Sequence, residues 1–93
     1  MARAKAAKVK FDPTPNPNAG KFTVGRTLVE GRHGLTFDTA EAASANPVAA
    51  ALLALEGVRS VFMVADFVTV TKDAGASWAD LAPLAQQAIR AAL

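Results

Sequence analysis

The residues able to do chemistry in this 93-residue chain are few and scattered. A small enzyme needs a nucleophile, a base and an orienting group converging in a pocket. The candidates are His33, Ser44, Ser60, Asp66 and Ser77, and they fall at no recognised catalytic spacing. His33, the only histidine, sits between Arg32 and Gly34, with no acidic or thiol partner at metal-site spacing. Cysteine is absent, which removes disulfides, thiolate metal sites and a cysteine nucleophile together. Asp12, Asp38, Glu41 and Asp66 offer oxygen ligands, but they are dispersed between motifs. We therefore assign no catalytic residue, no cofactor site and no metal site. What remains is recognition chemistry: the hydroxyl and amides of Thr14, Asn16 and Asn18, and the aromatic rings of Phe62 and Phe67 beside Asp66.

Charge narrows the classes further. The first ten residues carry Arg3, Lys5, Lys8 and Lys10 and no acid, leaving six basic and eight acidic residues in the rest. The basic pI of about 9.4 thus belongs to the tail. Nucleic-acid binding needs a basic face with stacking aromatics, so binding through the tail is kept only as the alternative function. No apolar run approaches the ~20 residues of a membrane span, and the basic N-terminus lacks the apolar core of a secretory signal. Together with the missing cysteines, this points to a cytoplasmic setting.

The elements that must position these residues centre on Gly57 to Lys72. Val58–Val64 and Phe67–Lys72 are β-branched and aromatic runs flanking Ala65-Asp66, which predicts an antiparallel hairpin. A two- or four-residue loop sets Met63 opposite Val68 and Val61 opposite Val70, an apolar face fit to floor a core. Phe62, Val64 and Phe67 then share the other face with Ser60, Thr69 and Thr71. Upstream, Lys8–Asp12 and Lys21–Val24 alternate as strands around the proline-dense Thr14–Asn18 connection, whose prolines hold it extended. Residues 25–37 read as a crossing loop with a short extended piece at Leu35–Phe37. Asp38-x-x-Glu41 looks like a capping-box start, limited by Pro47; Asn46-Pro47 is a second and better one, with Val48, Ala51, Leu52 and Leu55 at helical spacing and Gly57 as the stop. Ser77-x-x-Asp80 opens a last helix with Trp78, Leu81, Ala85, Ala88, Ile89 and Ala92 on its apolar stripe.

The expectation is an α+β two-layer sandwich in the order ββαββα. A four-stranded, mainly antiparallel sheet carries both helices on one face. Residues 8–93 form one domain behind a basic tail of residues 1–7.

Two runs, Thr14-Pro15-Asn16-Pro17-Asn18-Ala19 with Lys21-Phe22, and Asp66-Phe67-Val68-Thr69-Val70-Thr71-Lys72, resemble the N-terminal domain of Nfu-type iron–sulfur scaffold proteins. Glu41-Ala42, Pro47, Leu52, Leu55, Gly57-Val58, Val61-Phe62, Trp78 and Leu81 follow in the family's order, while Gly20 stands where a larger apolar residue is usual. In that family a separate domain holds the cluster through a Cys-x-x-Cys pair, which this cysteine-free chain does not contain. The resemblance thus implies a non-enzymatic accessory domain in iron–sulfur cluster assembly or delivery. Its partners would be assembly or client proteins, met through Thr14, Asn16, Asn18, Phe62, Asp66 and Phe67.

Overall fold

The hairpin at the centre forms because its two strands present matching apolar rows. In the computed structural model, which describes residues 9–25, 34–39 and 41–92, β4 (Val58–Val64) pairs antiparallel with β5 (Phe67–Lys72). Val61 faces Val70, Met63 faces Val68, and Val64 faces Phe67, so the turn is the two-residue Ala65-Asp66. Ala65 takes a left-handed φ of 53°, the twist that a two-residue hairpin turn demands. All four residues of the inner row are fully or almost fully buried.

Around this hairpin, β1 (Lys10–Pro13), β2 (Ala19–Thr23) and β3 (Leu35–Phe37) complete a five-stranded antiparallel sheet ordered β1-β2-β5-β4-β3. The expectation of four strands in the order ββαββα is therefore corrected. The extended piece Leu35–Phe37 is itself a strand, pairing Leu35 with Met63 and Phe37 with Val61 at the sheet's edge. Three residues are too few for alternation to declare a strand; its partner β4 makes it one. The first strand also runs slightly later than the Lys8–Asp12 of the sequence reading.

The helices are α1 (Pro47–Leu53) and α2 (Trp78–Ala92). Asn46 caps α1, its Oδ1 accepting the Ala49 N–H at 3.1 Å, with Pro47 at the first helical position. The proposed start at Asp38 is corrected: Thr39 Oγ1 accepts the Ala42 N–H at 3.0 Å, and residues 41–45 form only turns, ahead of Pro47. Val48, Ala49 and Leu52 bury from α1, and Leu81, Ala82, Ala85 and Ile89 from α2. Leu55 lies beyond the end of α1 and is half-buried against the core. Gly57, at φ +96°, follows α1 by a turn rather than ending it directly.

Both helices cover the face bearing Phe22, Val61, Met63, Val68 and Val70. The outer face carries Lys21 and Thr23 from β2, Thr69 and Phe67 from β5, Phe62 and Val64 from β4, and Thr36 from β3, as the registers require. Ser60 and Thr71 pair on that same face. The basic tail, His33 and most of the crossing loop lie outside the described residues.

Candidate interaction site

The Thr14–Asn18 connection owes its shape to its own polar groups. Thr14 Oγ1 accepts the Asn16 N–H at 3.1 Å and lies 2.9 Å from the carbonyls of Asn16 and Ala19, one of which takes its proton. Asn16 Oδ1 accepts the Asn18 N–H at 2.9 Å, an Asx turn. Asn18 in turn accepts twice from Lys72, through its carbonyl from the backbone N–H at 2.8 Å and through Oδ1 from Nζ at 3.3 Å. The sequence suggested that Thr14, Asn16 and Asn18 project their polar side chains along an extended loop. Instead the side-chain oxygens of all three are engaged in hydrogen bonds, those of Thr14 and Asn16 within the loop itself, and Pro15, Asn16 and Pro17 form the exposed tip.

Trp78 seats this loop on the helix layer. Its Nε1–H donates to the Pro17 carbonyl at 3.0 Å, and its ring packs 5.1 Å from that of Phe11, which is 5.0 Å from Phe22. Gly20 makes the cluster possible. A Cβ there would lie 2.4 Å from Phe11 and 3.0 Å from Trp78, so a larger residue at this position would force the rings to shift. Lys72 completes the corner at only 7% exposure, with Nζ 3.3 Å from the Asp73 carbonyl and 5.9 Å from the Trp78 ring centre. Among the described residues no carboxylate pairs with it. The sequence shows Gly20 as a departure and Lys72 within a family-like run, but not the contacts they make, since the rings and amides around them come from distant segments.

Phe62, Phe67 and Asp66 lie elsewhere. Phe62 is 39% exposed on the outer sheet face, its ring against Gly34, where a Cβ would collide with it. Phe67 is half-buried beneath Lys21, whose Nζ stands 4.5 Å from the ring centre. Asp66 occupies the hairpin turn and its carbonyl accepts the Val24 N–H at 2.8 Å. Because Asn18 bonds Lys72 while Thr23 pairs with Phe67, the loop and the turn mark opposite ends of the sheet, about 17 Å apart at strand spacing. The six candidates thus form two groups: Thr14, Asn16 and Asn18 at one end, and Phe62, Phe67 and Asp66 on and beyond the open face.

Among the described residues no three His, Cys, Asp or Glu side chains are placed to hold a metal ion. No helix among them is long and apolar enough to cross a membrane.

Comparison with known proteins matches this geometry. The model of the family described as scaffold protein Nfu/NifU N terminal matches residues 9–93. The human protein named NFU1 iron-sulfur cluster scaffold homolog, mitochondrial, is 45% identical over 65 residues, 70% of this chain and 25% of its own length. Its Drosophila ananassae namesake is 34% identical over 83 residues, 89% of this chain and 29% of its own. The chain therefore spans only about a quarter to three-tenths of those relatives. Among solved structures, protein SAV1430 from Staphylococcus aureus aligns at a TM-score of 0.78 with 30% identity, covering 87% of this chain and 96% of that one. The fold is also that of a NifU-like protein from Saccharomyces cerevisiae, with a TM-score of 0.80 at 24% identity, covering 98% of this chain and 82% of the other. With the family model matching residues 9–93 and relatives at up to 45% identity, the chain belongs to the Nfu/NifU N-terminal scaffold-protein family.

Proposed function

We propose that this chain is a non-enzymatic interaction domain serving iron–sulfur cluster assembly or delivery, and that it binds an assembly or client protein. The observation supporting this reading is the outer face of the sheet, where, among the described residues, Phe62 and Phe67 stand among threonines and neither helix covers them. Interfaces concentrate their energy in a few aromatic anchors, and truncating one costs about 2 kcal/mol or more. Asp66 flanks this face. Thr14, Asn16 and Asn18 offer a second, pre-shaped contact at the far end, which a partner reaches only by spanning the sheet. Residues 8–93 act as the working unit, the tail of residues 1–7 stays outside it, and the setting is cytoplasmic. The mitochondrial names of the relatives make that last point a matter for cell fractionation.

The test begins with affinity capture from the source cell, followed by titration of the purified captured assembly protein. Phe62→Ala with Phe67→Ala, shown by circular dichroism to be folded, is expected to weaken binding at least roughly tenfold. Asn16→Ala probes the loop separately. A folded double variant that binds like the parent removes the sheet face from the reading. If no iron–sulfur assembly protein binds the intact chain, the functional assignment itself fails.

A further inference from the structure

Away from the sheet's open face, a cavity of about 520 Å³ opens between the two connections that lead into β4 and α2. Its walls come from Glu56 and Gly57, from Asp73, Gly75 and Ala76, and from the first turns of α2. The volume falls within the ~300–1,000 Å³ of ligand-binding clefts. The two connections are tied by the Asp73 N–H donating to the Gly57 carbonyl at 2.8 Å. The Ala76 N–H donates to the Asp73 carbonyl at 3.0 Å, and Leu81 N–H to Ser77 at 2.8 Å. The walls are therefore set by backbone hydrogen bonds.

The lining has two characters. Ala76, buried Leu81 and half-exposed Leu84 supply apolar surface, and Leu84 is the most exposed large hydrophobic of the described residues. The carboxylates of Glu56, Asp73 and Asp80 supply negative charge, three of the eight acids of a chain whose formal net charge is +2. Arg59 reaches Asp73 at 3.6 Å, but that pair is exposed on both sides, so a competing cation displaces it at little cost. Asp80 also offsets the positive end of the α2 dipole, which otherwise repels a cation there. Among the described residues these acids are not placed to hold a metal ion, so the charge is suited to an organic cation.

We propose that this cavity docks a lysine- or arginine-bearing apolar segment of a partner protein. The aliphatic part of the segment covers Leu84 and Ala76, and its cation meets the rim carboxylates. This docking is separate from the open sheet face and stands whether or not that face binds anything.

The probe is a short peptide alternating lysine and leucine, titrated into the isotopically labelled full chain and followed by backbone amide NMR. Lysine–serine and glutamate–leucine peptides serve as comparisons. Saturable shifts are expected at Gly75, Ala76, Leu81 and Leu84 with the lysine–leucine peptide alone. Asp80→Lys is expected to weaken binding at least about fivefold, as is added salt. Gly75→Trp adds a bulky ring at the cavity's lining, where a side chain meets no neighbour within 4 Å. That variant is expected to abolish the shifts while the β4 and β5 resonances stay unchanged. Equal binding by a folded Gly75→Trp or Asp80→Lys chain overturns the proposal. So does lysine–serine binding of equal strength, which reduces the effect to bulk charge. Concentration-dependent self-association that disappears on removing residues 1–7 overturns it too, by making a second copy's basic tail the occupant.

Discussion

Gly20 shows how much of this fold is decided by single side chains. Phe11 and Trp78 converge over a strand position where any Cβ would force them to move. Gly20→Val is expected to destabilise by about 1–3 kcal/mol, read as a lowered denaturant midpoint, because inserted methyls displace packed rings. Leu52 presents the opposite case. Its complete burial between α1 and the sheet makes Leu52→Ala a cavity, with an expected loss of about 2–5 kcal/mol. The sequence marked Leu52 plainly through helical spacing. It marked Gly20 only as a departure from its family, because the reason for glycine lies in a tryptophan 58 positions away in the chain.

At the scale of elements, legibility followed length. The β4–β5 hairpin and α2 run long enough for periodicity to name their buried faces, and the register at Val61–Val70 was readable from composition. β3 is three residues long and α1 seven, so neighbours rather than local pattern set their extent. The two candidate helix starts separate experimentally. Asn46→Ala is expected to cost about 1 kcal/mol, since the Ala49 N–H loses its acceptor. Asp38→Ala is expected to change stability by less than about 0.5 kcal/mol, because Thr39 makes the turn's hydrogen bond. Equal losses in chemical denaturation would show that Asp38 caps after all. The candidate interaction residues were legible as residues but not as a site, since one chain segment can show stiffness and aromaticity without showing which end of a sheet it occupies.

On the scale of the whole molecule, the sheet joins segments far apart in sequence, and four of the ten basic residues fall in the first ten positions of the chain. Deleting residues 1–7 is expected to leave the thermal midpoint almost unchanged, because a run of like charges with little apolar area has little to bury. A large fall in scanning calorimetry would mean the tail is built into the fold. Anaerobic incubation with iron and sulfide followed by desalting is expected to leave the chain colourless, since it has no thiolate to donate. A retained visible chromophore would show that other ligands suffice.

The sheet order has a consequence for synthesis. β5 lies between β2 and β4, yet it is the last strand to be made. On a ribosome, β1 and β2 can pair as a hairpin, but the partner for the free edge of β2 is still about fifty residues away. At about 5–20 residues per second, that edge waits several seconds. The α2 turn that supplies Trp78 to seat the first loop emerges later still. Nascent chains halted before Lys72 thus present an uncovered strand edge to whatever chaperone surveys the exit tunnel, and chains released past α2 do not.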